Sequence, residues 1–182
     1  MGKYDEEIKR LDMENKKLSR ELKELMKETF RGIAELRKET SGIGDSNGKF
    51  AETFFYNSLK TSRRFAGQYF EIIYSGLYGD REMADGSYIR GEYDVTMSNG
   101  DTIVLIEIKY KVLKKDVRDF VNNKVGNFKM IFPRWSNHKF YLGVAGMSFG
   151  KGAEEEALKN GVGILRPKGE SVEILDENLK IY

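Results

Sequence analysis

The chain has 182 residues, about one domain at ~100–200 residues each, and its 31 Lys and Arg nearly cancel 29 Asp and Glu to leave +2. Bulk charge therefore argues for no particular partner. The absence of Cys excludes a disulfide framework, a thiol nucleophile and Cys-built zinc sites, and the single His138 excludes the usual His-based metal sites, so any metal must sit on oxygen. No apolar run approaches the roughly 20 residues needed to cross a bilayer. The first residues lack an apolar signal segment and are too acidic for a transit peptide. The expectation is a soluble cytoplasmic protein with no membrane partner.

Residues 3–31 contain neither Gly nor Pro and are dominated by Glu, Lys, Leu and Arg, the composition of a long helix. With Ile8 at heptad position a, Leu22 and Leu36 also fall on a, and Leu11, Leu18 and Leu25 on d. This is an apolar seam of period 3.5. Glu14, Glu21, Glu28 and Glu35 occupy every g site, which penalises an antiparallel pair, and Asn15 at an a site is a residue that fixes register in two-stranded coils. A lone solvated helix laced with pairs such as Glu6/Arg10 is the other reading. The expected organisation is a coiled-coil helix over 1–40 forming a homo-oligomer, a Gly-rich linker over 41–47, and a globular domain over 48–182.

Within that domain the pattern predicts a helix near 48–60, capped by Ser46 or Asn47, with Phe50, Ala51, Phe54, Phe55 and Leu59 on one broad face. Three β-rich segments follow, at 69–74, 88–97 and 102–110. A helix over 114–132 is ended by Pro133. Then come a strand at 139–144, a short helix at 153–160, a strand at 162–166, and a terminal hairpin of 171–175 with 179–182. The order αβββαβαβ makes a mixed α/β layer fold.

Asn99-Gly100 between two strand patterns is a hairpin signal. A two-residue turn there would place Asp94 opposite Leu105, Glu92 opposite Glu107 and Arg90 opposite Lys109. Since alternate residues share a face, Glu92, Asp94, Glu107 and Lys109 would project together, with Asp94 and Glu107 as diagonal neighbours roughly 7 Å apart. The strand Thr102–Tyr110 is apolar on both faces and so reads as central, yet it carries Glu107 and Lys109. Charges there are costly unless paired or bound to a cation. A buried salt bridge from Lys109 to Glu107 or Asp94 is one solution. The excess of carboxylates favours the other, a divalent ion, and oxygen-only ligation suits Mg²⁺ or Mn²⁺.

Gly91-Glu92-Tyr93-Asp94 followed by Glu107-Ile108-Lys109 resembles the PD-(D/E)xK nuclease signature, in the Glu-x-Asp…Glu-x-Lys form of its Holliday-junction-resolvase-like branch. Gly48-Lys49-Phe50-Ala51-Glu52 is similar to the Gly-x-x-x-Glu of that superfamily's first helix, and the coil joined to such a domain is similar to a microbial group of nuclease-like proteins. Tyr93 stands where many members carry Pro. The resemblance implies a restriction-endonuclease-like αβββαβ core with a mixed sheet over roughly 48–166. It further implies that Asp94 and Glu107 hold Mg²⁺ or Mn²⁺ with the Ile108 carbonyl, that Glu52 reaches the ion directly or through water, and that Lys109 orients or deprotonates the attacking water. Glu92 is a neighbour of that site.

Lys111, Lys114, Lys115 and Arg118 form a local basic stretch that could meet phosphates, although a solvated helix start is the more ordinary reading. His138 has no expected role. Two functions of different classes follow: a Mg-dependent endo- or exodeoxyribonuclease, or a non-catalytic coiled-coil module that binds DNA or protein on a nuclease-like fold.

Overall fold

A computed structural model describes Met13, Lys17, Gly44 and residues 46–169 and 171–182; the expected heptad seam otherwise lies outside the described residues. Residues 47–182 form one compact unit. Helix α1 covers residues 46–62. Ser46 and Asn47 lie inside it rather than capping it, and Gly44 and Gly48 are also helical, so the described part of the expected linker is helix. The penalty for Gly in a helix is only about 1 kcal/mol. The buried stripe Ala51, Phe55 and Leu59 decides where α1 sits.

A two-stranded hairpin follows, β1 (Arg64–Phe65) and β2 (Gln68–Tyr69), and then β3 (Ile72–Glu82), β4 (Tyr88–Asn99) and β5 (Thr102–Val112). The segment expected at 69–74 is thus split, and its main strand runs on through Ser-Gly-Leu-Tyr-Gly-Asp. That stretch is poor in strand formers and holds as a strand by pairing with β4. A helical run comprises α2 (Lys114–Asp119), a π turn (Phe120–Lys124) and α3 (Val125–Ile131). Pro133 opens a 3₁₀ turn that ends it. After β6 (Lys139–Phe149) come α4 (Ala153–Lys159), β7 (Gly163–Lys168) and β8 (Ser171–Leu175).

The six long strands make one mixed sheet in chain order, antiparallel from β3 to β5, parallel from β5 to β7, and antiparallel again between β7 and β8. The terminal hairpin is therefore β7–β8. Residues 179–182 form no strand; they are tied down by the Lys180 N–H donating to the Gly161 carbonyl and the Tyr182 N–H to that of Phe140.

Two cores flank the sheet. One joins α1 and the small hairpin, through Phe55, Leu59, Phe65 and Phe70, to Val95, Met97, Val104 and Ile106. The other joins the helical run and α4, through Val117, Phe120, Phe128 and Ala157, to Tyr93, Ile103, Leu105 and Leu142. The result is an α/β/α layering compatible with the expected αβββαβ core. No described helix is long and apolar enough to cross a membrane.

Candidate active site

The hairpin turn is Gly100-Asp101, not Asn99-Gly100. Asn99 pairs with Thr102, and Val95 lies opposite Ile106 rather than Val104. Gly100 takes φ 42° at the first turn position, a conformation suited to glycine, while the Asn99 side chain donates from Nδ2 to the Tyr69 carbonyl at 2.6 Å and stays in the strand. The register differs from expectation by two residues, and a shift of two preserves the face each side chain occupies.

Asp94 interrupts this regularity. The β4–β5 ladder ends at Val95↔Ile106. On the other side the β3–β4 register passes from Ser75↔Val95 to Leu77↔Tyr93, leaving Gly76, at φ 62°, across from Asp94. Tyr93 and Val95 should share a face, yet Tyr93 packs edge-on against Phe128 in the helical-run core and Val95 belongs to the α1 core. The strand changes face at Asp94. Its carboxylate turns toward β5, where Oδ2 accepts the Ile108 N–H at 2.7 Å.

Glu107 follows on β5, on the side of the helical run. Its carboxylate is held by two ammonium groups, Lys109 Nζ at 2.8 Å from Oε1 and Lys124 Nζ at 3.0 Å from Oε2. Lys124 also donates to the Glu92 carbonyl at 2.6 Å and lies 5.2 Å from the centre of the Tyr93 ring. These groups line a cleft of about 370 Å³ whose strand wall includes Arg90, Glu92, Tyr93, Glu107 and Lys109. Its helical wall includes Asp116, Asp119, Asn123, Lys124 and Asn127. Glu92, Glu107 and Lys109 thus border one cleft, while Asp94 is set back between the strands.

The electrostatics follow from this packing. Burial, with the neighbouring Glu107 charge, pushes the Asp94 carboxyl up to about 6 against the partial offset of the Ile108 N–H, Lys109 and Lys124. Burial pulls Lys109 down, but the hydrogen bond and charge of Glu107, with Asp94 and Asp116, outweigh it and raise its pKa above the ordinary lysine value.

Glu52 does not join the pair. It is exposed on α1, which packs on the opposite core, and among the described residues no three of Asp, Glu and His lie close enough to hold an ion. Asp94 and Glu107 remain as two hard oxygen donors. That set fits Mg²⁺ or Mn²⁺, since such ions keep several waters and commonly take one or two carboxylates plus phosphate oxygens.

The basic stretch is largely committed within the fold. Lys114 and Arg118 both bind Glu156 of α4, at 3.3 and 2.9 Å, and Lys115 faces Asp119 at 3.9 Å, while Lys111 is exposed on β5. Lys124 was not singled out in the sequence, though a signal for it exists. Phe120 and Val125 are five residues apart and both buried, the spacing of a π turn rather than an α turn. In an uninterrupted α-helix position 124 would share the stripe of Phe120.

No family model and no curated protein matches the chain. Among solved structures, the crystal structure of a repair endonuclease from Pyrococcus abyssi aligns with a TM-score of 0.43 and 20% sequence identity, over 64% of this chain and 46% of that one. The chain thus spans less than half of that endonuclease's length.

Proposed function

We propose that this protein is a divalent-cation-dependent nuclease acting on phosphodiester bonds in DNA, with Asp94, Glu107 and Lys109 as its catalytic residues. The observation that carries the reading is Asp94, half-buried and raised to about 6 by burial and the nearby Glu107 charge, at a break in the strand ladder next to the strand that lends Glu107 to an open cleft. Buried groups with perturbed titration in a cleft are the usual mark of a functional site. A bound Mg²⁺ or Mn²⁺ would lower the pKa of a water and polarise a phosphate. Asp94 and Glu107 supply its carboxylate ligands, the Ile108 N–H fixes the orientation of Asp94, and Lys109 places a positive charge where the phosphate gains negative charge in the transition state. The heptad seam makes the working form a homo-oligomer, which light scattering of the full-length chain would test.

A second reading has its own observation: both Glu107 oxygens already hold lysines, as in a purely structural salt bridge on a DNA- or protein-binding module. Thermal melts separate the two. For the nuclease, Mg²⁺ or Mn²⁺ raises the melting temperature, corresponding to about 2.7 kcal/mol at a hundredfold excess over Kd, and the metal-loaded protein nicks duplex, single-stranded or branched DNA. No thermal response together with no cleavage leaves the module reading.

A further inference from the structure

Both Glu107 oxygens are engaged by ammonium groups, so a cation approaching either one meets a positive charge already in place. Of its two lysines, Lys109 is two residues away on the same strand, whereas Lys124 arrives from the helical run. Lys124 has an anchorage of its own, the Glu92 carbonyl at 2.6 Å and the Tyr93 ring at 5.2 Å, that does not depend on Glu107. An ammonium so placed can leave the carboxylate without leaving its seat. Its backbone lies at the end of the π turn, where the helix departs from α geometry.

We propose that Lys124 is the resident counter-ion of Glu107 and a built-in competitor of the divalent cation: it occupies Oε2 in the metal-free protein and gives up that one contact, keeping the Glu92 carbonyl and the Tyr93 face, when the ion binds. This rests on the reading of Asp94 and Glu107 as metal ligands, and deepens it by giving the site a closed, self-neutralised state. The energy of opening that state appears as weakened metal affinity, because an ion that binds only the opened form has its apparent Kd equal to the intrinsic Kd divided by the open fraction. Lys109 is left on Oε1, so the Glu107 charge stays partly compensated in either state.

The test is calorimetric titration of full-length wild type, Lys124→Met, Lys129→Met and Glu107→Gln with MnCl₂. Methionine keeps the length of the stem and packs favourably on an aromatic ring, so the Tyr93 seat remains filled. Lys129→Met removes the same charge from the same helical run, at a side chain that sits over the Phe140 ring instead. The expected result is tighter Mn²⁺ binding in Lys124→Met by roughly threefold to tenfold, the gain from removing a competing closed state, with Lys129→Met near wild type and Glu107→Gln without binding. If wild type binds and Lys124→Met binds no more tightly, or Lys129→Met tightens equally, the competitor role is overturned while the metal site stands. If neither wild type nor Lys124→Met binds Mn²⁺, the metal-site reading fails and takes the competitor with it.

Discussion

Asp94 Oδ2 accepts the Ile108 N–H at 2.7 Å across two strands whose backbone ladder has already ended. The carboxylate thus takes the place of a strand partner for an amide that would otherwise have none from β4. Two substitutions separate this bond from the charge that makes it. Asp94→Asn keeps an acceptor oxygen and removes repulsion with Glu107, so the metal-free variant should melt at or above the wild-type temperature while losing its response to Mg²⁺. Asp94→Ala strips the amide of its acceptor and should cost about 1–3 kcal/mol. Denaturant titrations of both at pH 7.5 check this, and a strong loss in Asp94→Asn would show that the charge itself is structural.

The same carboxyl gives a pH dependence whose sign is fixed. Its folded pKa of about 6 lies above its ordinary value of 3.8, so between those values the native state binds more protons than the unfolded chain. The associated stability is present in full below the ordinary value and is lost as pH rises through about 6, a change of roughly 1–3 kcal/mol. Cation binding needs the ionised form, so the Mg²⁺-induced thermal shift should run the other way and disappear as pH falls through 6. The stability difference between wild type and Asp94→Asn, measured from pH 4 to 8, isolates the contribution. A flat difference would refute it.

The opposite sign is expected at Glu156, buried where α2 meets α4. Hydrogen bonds from Arg118, first, and Lys114, with their charges, outweigh burial and lower its pKa to about 2. Its contribution is present above the ordinary glutamate value of 4.5 and is lost as pH falls toward 2. Glu156→Gln should therefore lower the melting temperature at pH 7 and leave the Mg²⁺-induced shift unchanged, because this pair tethers two helices and does not touch Glu107. A variant that lost its metal response as well would join Lys114 and Arg118 to the cleft that Glu107 lines.

How much of this could be read from the residues differs by element. The central strand was legible because Ile103–Ile106 is apolar on both faces, and the helical run because its apolar residues repeat at helical spacing. Glu107 and Lys109 share a face whatever the register with β4, since side chains on one strand repeat every two residues. What stayed hidden depends on long-range packing. Nothing local in Glu92-Tyr93-Asp94-Val95 announces that the strand changes face; that follows from Gly76 of a neighbouring strand and from which core claims Tyr93. Glu52 was matched by motif alone, and its place was decided by the apolar stripe of α1.

Glycine pairing across the parallel strands offers a purely steric test. Gly143 lies opposite Gly163, and the Phe65 ring sits on both: a Cβ at Gly163 would lie 2.6 Å from Phe65 Cζ, and one at Gly143 would lie 3.1 Å from it. Gly163→Ala should destabilise by about 1–3 kcal/mol through overpacking. In a Phe65→Leu background, where the ring tip is gone, the same change should cost much less. Equal costs in the two backgrounds would place the strain elsewhere.

The last expectation concerns what Lys109 does, since a lysine beside a metal site can act as a cation or as a base. The hydrogen bond and charge of Glu107 hold Lys109 above the ordinary lysine value despite partial desolvation. Its stabilising charge is thus present at neutral pH and lost only as pH rises through that raised value. A group so held has little neutral amine available near pH 7 to take a proton from water, but in a nuclease would supply a fixed positive charge beside the reacting phosphate. Lys109→Arg, which cannot act as a base, should therefore keep measurable cleavage, whereas Lys109→Ala should lose cleavage, melt lower without metal, and retain weak Mn²⁺ binding. The pH–rate profile should rise through about 6 as Asp94 ionises and then level off. Continued climbing at alkaline pH in the wild type, together with an Arg variant as inactive as the Ala variant, would identify Lys109 as the base.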